Sequence, residues 1–175
     1  MTTLDTILVI TTGGTIDKQY FDALSQYQIT NTVVTKLLAL ARVAHPHRVE
    51  VVLRKDSIEL TDEDRARIVD RVRQAEVSRI VITHGTDTMT LSARALSTIT
   101  DKTIVLTGAL APARFIESDA AFNLGMAFAA AQTALHGVYI AFNGSVFRAN
   151  EVEKDRKRCC FVLKRNLDVR SARED

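Results

Sequence analysis

The sequence lacks most of what would staple it, anchor it or charge it. Cysteine occurs only as the adjacent pair Cys159-Cys160. Neighbouring cysteines rarely bridge each other, and two do not make a disulfide framework. No apolar run approaches the roughly 20 residues of a membrane helix. Met1-Thr-Thr-Leu-Asp5 has neither the basic start nor the apolar stretch of a signal peptide. These absences lead to the expectation of a cytoplasmic protein that does not engage a membrane. Charge of one sign is also scarce. The net charge of +2 is too small to imply a nucleic-acid partner. The late basic residues Lys154, Arg156, Lys157, Arg158, Lys164 and Arg165 are interrupted by acidic neighbours, without interleaved aromatics for stacking. His45, His47 and His136 are scattered without metal-ligand spacing, so no metal is expected. Gly13-Gly14 lacks both the Lys-Ser/Thr ending of a phosphate loop and the third glycine of a dinucleotide fingerprint.

What is present is an ordinary globular balance, 46% hydrophobic and 25% charged over 175 residues. That suits one domain able to bury a core unaided. Strand and helix patterns alternate along it. Thr6–Ile10 is a continuous apolar run, the mark of a strand buried on both faces. It is followed by a polar stretch, Lys18–Thr30, too long for an ordinary connection and expected to be a lid-like loop. A helix is expected over Val33–Val43, capped by Asn31 or Thr32, and His45-Pro46-His47 breaks it. Val49–Leu53 reads as the second strand. Thr61 with an acidic residue three positions on is a capping box for a helix reaching about Ala75. Arg79–Thr83 is the third strand, with a helix from Thr90 to Thr98 after its turn. Thr103–Thr107 is the fourth. Ser118 or Asp119 caps an alanine-rich helix to about Leu135. Gly137–Phe142 is the fifth strand, and Asn143-Gly144 predicts a hairpin returning through Val146-Phe147. The sum is an α/β, three-layer sandwich around a mostly parallel sheet. The domain spans 1–175, with its core at about 5–155 and a basic tail over 156–175. Within that tail Cys159–Leu163 forms a short strand and Arg165–Asp175 frays.

Four strand ends carry chemistry: Thr12/Thr15, Asp56/Ser57, Thr86/Asp87 and Gly108/Ala109. In a parallel sheet these ends converge on one edge, a pocket for a small polar molecule. Threonine is a weak nucleophile at neutral pH and needs a base or oxyanion donors. Lysine or tyrosine can serve, and the chain offers Lys154, Tyr20 and Tyr27. Thr12 reads as a structural hydroxyl, and His84 as a group that stabilises its own turn.

Thr11-Thr-Gly-Gly-Thr-Ile16, Thr83-His-Gly-Thr-Asp-Thr-Met89 and Leu106-Thr-Gly-Ala-Leu-Ala-Pro112, with Phe122-Asn-Leu124 beyond them, resemble the bacterial-type L-asparaginases in order and spacing. The resemblance covers about residues 5 to 155, the family's N-terminal domain. It implies a flavodoxin/Rossmann-like domain of the asparaginase N-terminal type, with the family's C-terminal domain absent. It implies hydrolysis of L-asparagine to L-aspartate and ammonia through an acyl-enzyme, with no cofactor. By this resemblance Thr15 is the nucleophile and Thr86 the second catalytic threonine. Asp87 holds the substrate amino group and supports Thr86, and Lys154 completes a Thr–Lys–Asp set. Ser57, with Asp56 beside it, binds the substrate α-carboxylate. Gly14, Thr86 and Ala109 lend backbone groups. Tyr20, nearer Thr15, is preferred over Tyr27 as the lid tyrosine. Self-association as a dimer or tetramer is implied too. The alternatives are glutaminase activity, an amidase component for tRNA-linked transamidation, and a non-catalytic amino-acid sensor.

Overall fold

The computed structural model describes residues 5–22 and 25–164. Strand β1 (Ile7–Gly13) is buried along its whole length, as a strand with helices on both sides must be. Its neighbours are β4 (His47–Lys55) and β5 (Arg79–Thr83), both parallel to it. Strands β6 (Thr103–Thr107) and β7 (Gly137–Phe142) continue the parallel sheet, and β8 (Ser145–Arg148) closes it antiparallel. The six-stranded order is β4-β1-β5-β6-β7-β8. Its parallel part is the flavodoxin-like doubly wound order, whose switch point lies between β1 and β5.

The residues of β1 alternate between two cores. Leu8 and Ile10 pack with Ile68, Val69 and Val72 of helix α2 (Asp62–Arg73) and with Ala93 and Leu96 of α3 (Met89–Leu96). Ile7 and Val9 pack on the other face with Val34 and Leu38 of α1 (Val34–Leu40) and with Leu124, Ala127 and Ala131 of α4 (Ala120–Thr133). Each large aliphatic side chain so buried contributes about 1.5–3 kcal/mol. Alanines on α4 let it lie close to the sheet. The capping box at α2 forms as the sequence requires: Thr61 Oγ1 accepts from Asp64 N, and Asp64 Oδ2 accepts from Thr61 N. Asn143-Gly144 turns β7 into β8 with both residues at positive φ.

Three expectations change. The Lys18–Thr30 stretch is not a loop but a hairpin, β2 (Lys18–Phe21) paired with β3 (Gln26–Ile29). Its strands are only four residues each, too short for their alternation to register. The second sheet strand begins at His47, because the Pro46 carbonyl already accepts from Ile7 N and starts the ladder. The stretch beyond 155 is built into the domain up to Leu163 rather than trailing from it. Strands β9 (Val152–Asp155) and β10 (Cys160–Leu163) form a second hairpin. Phe161 is 5% exposed and sets its ring edge-on to Phe142 at 5.3 Å. Arg165–Asp175 lie outside the described residues.

The close fit at the strand ends is testable at two glycines. A Cβ on Gly108 would stand 2.3 Å from the His84 carbonyl oxygen, backbone against backbone, whereas one on Gly125 in α4 meets nothing within 4 Å. Gly108→Ala is expected to lower unfolding free energy by about 1–3 kcal/mol. Gly125→Ala is expected to raise it by about 0.5–1 kcal/mol, since alanine loses less entropy in a helix. Urea denaturation of the two variants reads both.

Candidate active site

The carboxyl ends of β1, β4, β5 and β6 are stitched into one surface. Gly14, at φ 84°, leads into a 3₁₀ turn, Thr15–Asp17, and its N–H donates to the Lys55 carbonyl at 3.0 Å. Its backbone abuts the turn after β5 so closely that a Cβ there would lie 2.5 Å from Gly85 N. Thr15 and Thr86 therefore start from touching peptides on the two sides of the switch point. Gly85 in turn presses on Ser57, whose Oγ would sit 2.6 Å from a Gly85 Cβ. Thr12 Oγ1 donates to the Thr83 carbonyl at 2.9 Å, and Thr88 Oγ1 to the Ser57 carbonyl at 2.6 Å. Thr12 is thus the structural tie its position suggests. Thr88 spends its hydroxyl across the site rather than capping α3.

At the centre is Lys154, delivered from β9. Its Nζ donates to Thr86 Oγ1 at 2.7 Å and to Asp87 Oδ1 at 2.6 Å. Thr86 is buried, and the Lys154 side chain is 13% exposed against 40% for that of Asp87. The ammonium is thus largely withdrawn from water, and Asp87 keeps one side open to the solvent. Sequence separation across these contacts is 67 and 68 residues.

His84 lies beneath this turn. Its Nδ1 is 2.6 Å from the Gly85 carbonyl, which can only accept, so Nδ1 carries the proton. Its Nε2 then accepts from Ser92 Oγ at 2.8 Å. Burial, aided by Arg65, holds its pKa down to about 4 against the opposing pull of the Gly85 carbonyl and Asp56. A neutral imidazole bonded at both nitrogens supports the turn and has no free position for acid–base work.

The β6–α4 connection is held by groups the sequence reading did not place in the site. Asp119 accepts from Leu110 N and Ala111 N, and receives Asn123 Nδ2 at 2.8 Å. It therefore faces the turn, and Ser118 Oγ is the group that accepts from Ala120 N. Asn123, 1% exposed, also donates to the Gly108 carbonyl and accepts from Asn143 N. Ala109 is buried within this brace. Among the described residues no cluster of three or more His, Cys, Asp or Glu side chains is placed to share a metal ion.

The family model described as "Asparaginase, N-terminal" matches residues 6–160. The chain belongs to the asparaginase family. It is 34% identical over 160 residues to an L-asparaginase of Thermococcus kodakarensis, covering 85% of this chain and 47% of that protein. It is 30% identical over 166 residues to a glutaminase-asparaginase of Acinetobacter glutaminasificans, covering 85% and 49%. The solved L-asparaginase I from Vibrio cholerae superposes with a TM-score of 0.81 at 25% identity, covering 91% of this chain and 51% of that one. The chain spans about half the length of these relatives. No helix among the described residues is long and apolar enough to cross a membrane.

Several residues singled out from the asparaginase motifs meet in space: Gly14, Thr86, Asp87 and Lys154, with Thr15 one residue from the Gly14–Gly85 contact. Two others are placed differently from their expected use. Asp56 is already engaged, its Oδ2 2.6 Å from Lys18 Nζ and its Oδ1 accepting from Ile58 N. Ser57 is fully buried, and its hydroxyl has no partner among the described residues. Both tyrosines expected near the lid, Tyr20 and Tyr27, lie on the β2–β3 hairpin. They are cross-strand partners in the hairpin with ring centroids 5.2 Å apart, each about half exposed, and Tyr27 also meets Phe115 edge-on.

Burial works against the Asp56 carboxylate, but the hydrogen bond and charge of Lys18, with two backbone N–H groups, hold its pKa below the ordinary 3.8. A depressed carboxyl pKa gives stability that is present above the unfolded value and lost as pH falls through the folded one. Lys18→Met is therefore expected to cost about 1 kcal/mol at pH 7. Thermal melts of variant and wild type should converge as pH falls through the lowered folded pKa of Asp56, once it is protonated in both.

Proposed function

We propose that this domain hydrolyses the side-chain amide of L-asparagine to L-aspartate and ammonia through a threonine acyl-enzyme. The observation that carries the proposal is Lys154 Nζ shared between Thr86 Oγ1 at 2.7 Å and Asp87 Oδ1 at 2.6 Å, beside the turn that holds Thr15. A hydroxyl needs a base within hydrogen-bond reach to act at neutral pH. A lysine bonded to a buried threonine and a half-open carboxylate supplies one.

In the proposed sequence Thr15 Oγ attacks the amide carbon. Lys154 first gives up one proton of its ammonium to water at the open side of Asp87, and the Thr15 proton then passes by way of Thr86 to the amine so formed. The tetrahedral oxyanion is met by backbone N–H groups at Thr86 and Ala109, on strand ends that are already fixed, while Gly14, whose N–H is held by the Lys55 carbonyl, lends its backbone to the wall of the site. The C–N bond then breaks, the proton returns from Lys154 to the departing nitrogen, and ammonia leaves an ester on Thr15. Water adds to the ester, the bond to Thr15 Oγ breaks, and aspartate is released with the hydroxyl restored. Asp87 balances the cationic form of Lys154 and offers its exposed side to the substrate ammonium. Ser57 is assigned the α-carboxylate, a role in which its hydroxyl must open from beneath Gly85 toward the pocket. Tyr20 and Tyr27 act as one unit at the hairpin. A reducing, cytoplasmic setting is part of the proposal and fits the two free cysteines, Cys159 and Cys160.

The relatives include proteins named both L-asparaginase and glutaminase-asparaginase. Discrimination by one methylene in an apolar pocket is worth only about 1–3 kcal/mol, so some turnover of L-glutamine is expected. Ammonia release from both amides tests the reading. Wild type should turn over asparagine, Lys154→Met should lose roughly 10²–10⁴-fold, and Thr15→Ala should lose turnover altogether while keeping its circular dichroism. No release by folded wild type would overturn the hydrolase reading and favour a binding module.

A further inference from the structure

Asp17 is a buried carboxylate that the proposed chemistry does not use. It is 2% exposed and ends the Thr15 turn. Its N–H closes that turn onto the Gly14 carbonyl at 3.2 Å. Its Oδ1 accepts from Val33 N at 2.8 Å, sixteen residues away, at the entrance to α1. Its own carbonyl accepts from both Thr30 N at 3.1 Å and Thr30 Oγ1 at 3.2 Å. Lys18, the next residue, begins β2, and Thr30 directly follows β3. One residue thus holds both roots of the tyrosine hairpin and the turn of the candidate nucleophile.

The hairpin's outer contacts extend the same assembly. Arg114 Nη2 donates to Thr30 Oγ1 at 3.2 Å, and the neighbouring Phe115 packs on Tyr27. Beyond these contacts and the Lys18–Asp56 ion pair at its first root, the hairpin has little to fix it among the described residues, since β2 and β3 pair with each other alone and Tyr20 and Tyr27 are half exposed. A two-stranded hairpin is marginal by itself. Its position must therefore come from its roots.

We propose that Asp17 is a positioning residue, whose carboxylate–Val33 bond fixes the tyrosine hairpin relative to the Thr15 turn. The inference rests on the amide-hydrolysis reading for its catalytic consequence, though not for the clamp itself. Removing the carboxylate frees the Val33 N–H and the α1 entrance, and with them the segment to which Thr30 belongs. The fold's main sheet shares none of these bonds.

Hydrogen exchange and kinetics on the full chain test this together. In Asp17→Ala, amides of β2 and β3 should exchange about tenfold faster or more, while those of β5 and β6 keep their protection. In Asp17→Asn, which keeps an acceptor for Val33 N, exchange should stay near wild type. Asparagine turnover should follow the same pattern, with kcat falling about tenfold in Asp17→Ala, KM changing less, and Asp17→Asn restoring kcat. Should Asp17→Ala not fold, Val33→Pro removes the donor together with a buried valine side chain, and hairpin exchange faster than in Val33→Ala, which keeps the N–H, reads the loss of the bond. Unchanged hairpin exchange, or an increase spread evenly over the sheet, would overturn the proposal. Absence of turnover in wild type with hairpin-specific exchange would overturn the hydrolase reading and leave the clamp supported.

Discussion

Contact between backbones at the switch point is the constraint on which the rest depends. A Cβ on Gly14 would strike the Gly85 backbone, and a Cβ on Gly85 would strike Ser57. Three strand ends are thereby brought within bonding distance of one another. Side chains on adjacent strands would otherwise be spaced by the ordinary interstrand distance of about 4.8 Å and diverge with the twist of the sheet. The direct backbone contact sets the turns that carry Thr15 and Thr86 side by side. The hydroxyl ties of Thr12 and Thr88, with the buried imidazole of His84, keep that contact from opening.

The proposed chemistry also needs a base from outside the sheet's edge. Lys154 arrives on a hairpin that the parallel core does not need for its own continuity. That hairpin is seated by Val152 and Phe161, which join the core formed by α2 and α3. Packing therefore places the lysine: the burial of Phe161, paired in register with Lys154, orients the strand that carries Nζ to Thr86 and Asp87. These contacts are made within this stretch of an asparaginase chain, which spans about half of its relatives' length.

Much of this was legible in the sequence, for identifiable reasons. Doubly buried strands such as Arg79–Thr83 and Thr103–Thr107 are unbroken apolar runs, and the structure returns them with those same bounds. Thr61 and Asp64, or Asn143 and Gly144, act on neighbours a few residues away, so their local chemistry suffices. Asp17 was not legible, because its partner at Val33 lies across the hairpin and the local candidates for that cap were Asn31 and Thr32. Asp119 failed for a related reason: it reads as a helix cap, yet its carboxylate is drawn to the N–H groups of Leu110 and Ala111. Asp56 reads as available for substrate, yet Lys18, from the hairpin, lies against it. Long-range polar contacts decide these cases, and residue type alone does not reveal them.

The most direct test of the account is to catch the covalent intermediate. Protein mixed with L-asparagine, quenched in acid within milliseconds and digested with trypsin, can be mapped by mass spectrometry. The account predicts an aspartyl ester on the peptide ending at Lys18, localised to Thr15. An adduct on Thr86 with Thr15 unmodified would contradict it, as would ammonia release at full rate from Thr15→Ala.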